Sequence, residues 1–361
     1  MRDGATHQDC GGCDLCTEVC PGRHPGAQVS EARIFGRTRT DDERWTGIRT
    51  ATYYGQARDS VVLDAASAGG ATTTLLITAL RTGAIDAALV VGRDEHRPWV
   101  PAPRLVERVD ELIDCAQANY SITPNLQLLR DTRYERVGVV GLACQMQAIG
   151  KMRNLPEVPE VAAKVALTIE IACASNTRLQ GTEDLIQNRL RLPLVAVDKM
   201  KYRAGEYPGE FTVWDREDQR HSAPFHELVT QFKRFKTFRC QSCPDWWSGL
   251  SDISIADGDP NIFRVSRNNE KVTKGSLILT RTPTGESLVH LSAERGELLV
   301  RPTEFGEEQS LGLQRKRNRY LKYRDRYPGR TPDGPMSDEE RVVPLSDDEV
   351  IESMSRPEAM S

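Results

Sequence analysis

Four cysteines crowd the first turns of this chain, Cys10, Cys13, Cys16 and Cys20, the last followed by Pro21. Their spacing, with two, two and three residues between them and a terminal Cys-Pro, matches the bacterial ferredoxin run. Thiolates this close in sequence can wrap one 4Fe-4S cube, because short loops, here containing Gly11 and Gly12, turn backbone amides toward the sulfides. Residues 1–26 hold too little apolar material for a core, so something other than packing must order them. A structural zinc knuckle also accepts four cysteinates, but such sites usually come as two separated pairs and rarely carry the Cys-Pro. In two-cluster ferredoxins the fourth cysteine serves the other cluster, which needs a second run. None occurs here, and the expectation is one cluster closed by these four.

The other cysteines are Cys115, Cys144, Cys173, Cys240 and Cys243. In a long intracellular chain, thiols spaced by two or three residues read as metal ligands before they read as disulfides. The opening MRDGATHQDC lacks the apolar core of a signal peptide, and no stretch approaches the roughly 18 apolar residues of a membrane span. These features lead us to expect a cytoplasmic protein. The net charge of -4 comes from 48 basic and 52 acidic residues mixed along the chain. That pattern carries no footprint for nucleic acid or an anionic membrane, which leaves small molecules and proteins as partners. A homo-oligomer is compatible with it.

Along the chain the texture alternates. ATTTLLITALRTG fits a buried helix stopped by Gly83, and AIDAALVVG a short buried strand ending at Gly92. Further strands are expected at Val137–Leu142, Val165–Ala172 and Ser276–Thr282, with helices between, so the fold class is α/β with mixed α+β character. Residues 195–235 contain short aromatic-rich pieces that suggest an antiparallel insertion. The basic stretch Leu313–Arg326 suits docking to a partner, although such charge runs usually form solvated helix faces. Residues 331–361 are acidic and Pro/Ser-containing and read as a disordered tail.

Cys144 follows the strand RVGVVGL, Cys173 follows VALTIEIA, and Cys240 with Cys243 forms a CxxC pair ahead of Pro244. Taken singly, Cys144 and Cys173 read as small buried hydrophobes and the CxxC as a redox dithiol. Five segments in order change that reading: SAGGATTTLLITALRTGAIDAALVVG, ANYSITPNLQLL, GLACQMQAIGKMR, CASN and CQSCPDWWSGLSDISIADG. With them the chain, from Tyr53 to Tyr327, resembles the beta subunit family of coenzyme F-420-reducing hydrogenase and dehydrogenase. The resemblance implies an FAD-binding core over residues 50–327 in which Cys144, Cys173, Cys240 and Cys243 jointly hold a 4Fe-4S cluster. Cys115 remains as a structural thiol. Relatives that carry the N-terminal run include ferredoxin-dependent reductases of chlorophyll-type pigments, where it looks like a wire to an electron partner.

Two glycines directly before a helix offer unpaired amides and the positive end of the helix dipole to a phosphate, yet an ordinary loop-to-helix turn looks the same. The resemblance implies FAD pyrophosphate at Ser67, Gly69, Gly70, Thr72 and Thr73. It also implies flavin contact for Asn119, Tyr120, Thr123, Pro124 and Asn125, with Asn119 standing where the family carries lysine. Tyr120 has an alternative reading as a core aromatic. Gln145 is expected at the flavin edge or on a local backbone group. No catalytic acid is assigned, and Asp252 and Asp257 read as turn caps. The expected function is transfer of electrons between ferredoxin or clusters, FAD, and an organic hydride partner, coenzyme F-420 or a conjugated substrate. The competing readings are an electron-transfer subunit of a larger redox complex and a zinc-binding regulator.

Overall fold

The computed structural model describes residues 15–22, 26–131, 133–155 and 159–331. Cys10, Cys13 and nearly all of the expected acidic tail lie outside them. Among the described residues eleven strands form in chain order: β1 Ala51–Ala57, β2 Ala87–Arg93, β3 Pro101–Val106, β4 Val137–Gly141, β5 Val165–Ile171, β6 Val197–Ala204, β7 Glu210–Asp215, β8 Arg220–Pro224, β9 Ile253–Asp257, β10 Ser276–Thr280 and β11 Leu298–Pro302. Eight of them make one sheet in the order β11-β1-β10-β9-β5-β4-β2-β3.

The centre of that sheet is parallel: β2 pairs with β4, β4 with β5, and β5 with β9. Its flanks are antiparallel. Parallel strands covered on both faces need near-continuous apolar runs. AALVV and VGVV supply them, and Ala87, Ala88, Leu89, Val137 and Val139 are at most 1% exposed. The helix Ala71–Arg81 packs Leu75, Leu76 and Ala79 onto one face beside Ile253 and Ile278, while Met146, Ile149 and Val165 fill the other. The outer strand β3 carries Pro101 and Pro103, which lack the amide a central strand would need.

Residues 195–235 form the expected antiparallel unit, a separate sheet in the order β6-β7-β8 closed by the helix Phe225–Phe232. Its core is aromatic, with Tyr202, Phe211, Phe225 and Phe232 buried together. Three expected strands end slightly early: Leu142 and Ala172 lie past β4 and β5, and Arg281 and Thr282 lie past β10. Arg281 is buried with its guanidinium on Ser254 Oγ at 2.7 Å and Ile48 O at 2.7 Å, and its amide donates to Asp252 O at 2.9 Å just past the strand. Among the described residues no helix is long and apolar enough to cross a membrane.

The carboxyl ends of the four parallel strands point one way, and that rim is where open α/β sheets bind ligands. Arg93 is the last residue of β2, Cys144 lies three residues past β4, Cys173 two past β5, and Asp257 ends β9.

Candidate functional site

Two groups of side chains occupy that rim. In the first, Cys144 lies in the first turn of the helix Ala143–Asn154, Cys173 follows β5, and Cys240 and Cys243 flank the end of the short helix Phe238–Gln241. The topology thus brings three distant segments to one place. All four thiols are half-buried and free. Burial, then the neighbouring sulfurs of Cys173 and Cys243, pushes the Cys144 thiol up to about 12. Burial pushes Cys173 up to about 11, with Cys240 and Cys243 adding to the rise. The four sulfurs therefore act on one another. Among the described residues no three His, Cys, Asp or Glu side chains are placed to hold a single metal ion. An iron–sulfur cube sets its thiolates further apart than the ligands of one ion.

Cations ring this quartet. Lys316 donates to Cys173 O and to Asp245 O, each at 2.6 Å. Arg319 reaches Gln241 O at 3.1 Å, Cys240 O at 3.4 Å and Ala174 O. Burial and then Arg319 push Lys236 down to about 7, and Arg239 lies close enough to Cys144 to favour its thiolate. Burial works against the Lys316 ammonium, but Cys243, Cys173 and Asp245 together raise its pKa above the ordinary value. The nearest acid, Asp245, accepts from Gln147 at 3.0 Å and from Cys243 Sγ at 3.7 Å. Asp245 Oδ1 and Gln147 Oε1 are buried without a partner.

Lys316 and Arg319 come from the helix Leu311–Arg326, whose charge run suggested a solvated face. The structure corrects that reading for one stripe. Gly312, Lys316, Arg319 and Tyr323, spaced four, three and four residues apart, share one helical face and meet the cysteine loop. A Cβ on Gly312 would lie 2.5 Å from the Trp246 ring, so only glycine lets the helix approach this closely. Tyr323 packs on Phe238 at 5.7 Å. Leu313 and Tyr320 at helical spacing were the available signal for a buried face.

Cys16 and Cys20, from the N-terminal run, are exposed. Cys20 Sγ accepts the Gly22 amide at 3.3 Å, and Cys20 O accepts Lys151 Nζ at 3.2 Å. A Cβ on Gly22 would meet Cys20 Sγ at 3.0 Å and Arg239 Nη1 at 3.5 Å. Arg239 thus lies near the Cys20–Gly22 turn and also acts on Cys144.

The second group joins the SAGG loop to the segment 118–125. Ala118 N donates to Ser67 Oγ at 2.9 Å. Asn119 Nδ2 donates to Ser121 O at 2.9 Å and Thr123 Oγ1 at 3.0 Å. Gln145 takes the local role foreseen for it, accepting Leu142 N at 2.9 Å, and also donates to Thr123 O at 3.3 Å. Gly70 caps the helix Ala71–Arg81 at φ 74°, leaving the next amides, including those of Thr72 and Thr73, without intrahelical acceptors. Gly69 touches β10, where a Cβ would lie 2.5 Å from Ser276 N. The Tyr120 ring packs against Tyr202, Phe225 and Phe232, and burial pushes its hydroxyl up to about 12. Pro124 precedes the short helix Asn125–Arg130. Asn125 Oδ1 is buried with no partner.

Sequence reasoning missed the cations of this wall. Arg93 donates to Asn119 Oδ1 and Gln117 Oε1, each at 3.2 Å, and lies 4.9 Å over the Tyr202 ring. Its Nε is buried without a partner, and burial lowers its pKa. Lys274 caps the end of the helix Ser60–Ala65 through Leu63 O at 2.9 Å and Ala66 O at 2.7 Å, and Lys201 reaches Ala65 O at 3.5 Å. Isolated lysines and arginines outside any motif gave no signal for this. Of the two aspartates, Asp252 accepts from Thr168 and Thr282, while Asp257 pairs with buried Arg203 at 2.9 Å instead of capping a turn.

Two family models match the chain in succession. The N-terminal model of the coenzyme F-420 hydrogenase/dehydrogenase beta subunit covers residues 52–130, and its C-terminal model covers residues 134–305. The coenzyme F-420 hydrogenase subunit beta of Methanosarcina barkeri is 27% identical over 255 residues, 69% of this chain and 80% of that one. Its counterpart in Methanothermobacter thermautotrophicus is 28% identical over 272 residues, 72% of this chain and 89% of that one. A solved chain of the F-420-reducing nickel–iron hydrogenase complex from M. barkeri matches with a TM-score of 0.63 at 23% identity, over 80% of this chain and 95% of that one. At that identity the likeness speaks for the fold.

Proposed function

Because this chain belongs to the coenzyme F-420 hydrogenase/dehydrogenase beta subunit family, we propose that it is an oxidoreductase dependent on FAD and two 4Fe-4S clusters. The observation that carries the reading is the convergence of four free thiols from three segments at the carboxyl rim of the parallel strands, among buried cations. In this reading Cys144, Cys173, Cys240 and Cys243 hold one cluster, and Cys10, Cys13, Cys16 and Cys20 hold the other. Residues 1–26 act as the ferredoxin-like segment and 50–327 as the core.

FAD would lie along the SAGG loop and the 118–125 wall. The Thr72 and Thr73 amides and the helix dipole would face its pyrophosphate, with Ser67, Gly69 and Gly70 shaping the turn. Asn119, Thr123, Pro124, Asn125 and Gln145 would line the ring, with Tyr120 stiffening the wall from behind. The unsatisfied Asn125 Oδ1 and Arg93 Nε suit a polar ligand at that wall. Bound flavin supplies conversion between two-electron and one-electron chemistry, which clusters alone lack. This chain's own contribution is placement. Gln145 and Cys144 are consecutive on one helix, so the flavin wall and the quartet share an element.

The hydride partner would be coenzyme F-420 or a conjugated substrate, and reduced ferredoxin or another redox protein would exchange single electrons with the N-terminal run. The relatives named as beta subunits favour a second reading, an electron-transfer subunit of a larger complex. Anaerobic assays with F-420 and with reduced ferredoxin, on protein whose iron and flavin have been counted, test both. The enzyme reading expects about eight irons, one FAD and turnover with one of the two partners. A flavin-free, colourless sample would sink it.

A further inference from the structure

We propose that Lys316 and Arg319 are the counter-cations of the quartet's cluster, placed by the C-terminal helix to favour its reduced, more negative state. The inference rests on the cluster assigned to Cys144, Cys173, Cys240 and Cys243. It concerns a helix, Leu311–Arg326, that begins beyond residue 305, where the family match ends.

The argument starts from burial. Lys316 is 3% exposed, and a buried ammonium without a compensating charge is strongly unfavourable. Among the described residues neither Lys316 nor Arg319 has a carboxylate partner, since every oxygen they reach is a main-chain carbonyl. Carbonyl dipoles satisfy their N–H groups but bring no opposing charge. The groups that oppose both charges most are the sulfurs of Cys243 and Cys173. Two of the accepting carbonyls belong to the ligand residues Cys173 and Cys240, which brings both cations against the quartet. Asp245 adds opposing charge at Lys316 but ranks behind Cys243 and Cys173, and Lys316 hydrogen-bonds only its main-chain oxygen.

A cube held by four thiolates is an anion in both oxidation states, and hydrogen bonding and nearby charge tune its potential. On reduction it gains one electron, delivered by the flavin or by reduced ferredoxin, with no bond made or broken and no proton required. Fixed cations beside it favour the state with the extra negative charge. The helix is held on this face independently of its charges, by Gly312 against Trp246 and Tyr323 against Phe238. The cations are therefore preorganised, not drawn in by the electron.

The test is an anaerobic redox titration, followed by electron paramagnetic resonance, of the full chain with its iron and FAD. In Lys316→Met the quartet's midpoint should fall by about 59 mV, a tenfold change in a one-electron equilibrium. Arg319→Gln, at a less buried position, should move it the same way. Lys316→Arg should keep it near the parent value, and the N-terminal cluster's midpoint should not move in any variant. Cluster loss in Lys316→Met that Lys316→Arg restores would equally support a charge role. An unchanged midpoint with full iron, or cluster loss in both lysine variants, would overturn the proposal. Cys144→Ser separates this from the assignment beneath it: if that variant keeps all its iron and every cluster signal, the quartet holds no cluster and the proposed function fails first.

Discussion

Cys16 and Cys20 are exposed, whereas Cys144, Cys173, Cys240 and Cys243 are half-buried and ringed by Lys236, Arg239, Lys316 and Arg319. The first set belongs to a run that spans eleven residues of sequence, from Cys10 to Cys20. The second gathers three segments spread between Cys144 and Cys243, and the sheet's parallel order brings them to one rim. If both sets hold clusters as proposed, the local run should be separable from the fold, whereas the quartet, gathered by topology among buried cations, should be bound into the core. Two sites of the same chemistry would then have opposite consequences for the fold.

The largest expected effect follows from that asymmetry. Cys240→Ser with Cys243→Ser should remove about four irons. It should also destabilise the core by about 3–5 kcal/mol, the usual penalty for leaving buried charge without its partner. Iron counting and thermal unfolding read both effects. A variant that loses the iron and keeps the parent melting temperature would mean that the quartet is no more tied to the core than the N-terminal run.

Cys13→Ser with Cys16→Ser should also remove about four irons, yet change stability by no more than about 0.5 kcal/mol, as surface substitutions do. FAD content, read from the visible spectrum, should be unchanged. Loss of flavin here would erase the division between a detachable segment and a core.

A third change sharpens the comparison from the side of the C-terminal helix. Gly312→Ala puts a methyl group 2.5 Å from the Trp246 ring, which forces the helix away. Overpacking of this kind costs about 1–3 kcal/mol. Unfolding by urea should register it, and a neutral result would mean that the helix is loosely seated on the quartet.

The comparison also explains what could be read from sequence. The N-terminal run is legible because its ligands are adjacent, and the core strands because AALVV and VGVV are continuous apolar runs. The aromatic insertion announced itself by composition. The quartet was not legible from spacing, since nothing in the sequence says that the turns after β4 and β5 meet the CxxC loop. Family likeness supplied that link. The cations were harder still: Lys316 sits in a run of charges, most of whose members are exposed, and Arg93 ends a strand as an unremarkable arginine. Their roles arise from what the fold puts opposite them.

Asn119 is the finest version of this problem and the smallest expected effect. The resemblance read from the sequence sets it where the family carries lysine, which would leave the wall without that cation. Arg93 puts a cation there, because its guanidinium, from the end of β2, meets Asn119 Oδ1 at 3.2 Å. If the wall faces the flavin, removing that cation should disfavour the anionic reduced ring. Arg93→Gln should then lower the flavin midpoint by some tens of millivolts, since about 1.4 kcal/mol corresponds to about 30 mV in a two-electron couple. Asn119→Lys in the native background should raise it little, because two like charges about 4 Å apart repel by roughly 1 kcal/mol in water and roughly 4 at an effective dielectric of 20. The new lysine would turn away or lose its proton. In the Arg93→Gln background the same lysine meets no rival and should recover most of the lost potential. The two substitutions should therefore be strongly non-additive, which a double-mutant cycle measured by anaerobic spectroelectrochemistry can read. A flavin midpoint unmoved by Arg93→Gln at full FAD occupancy would show that the 118–125 wall does not face the ring.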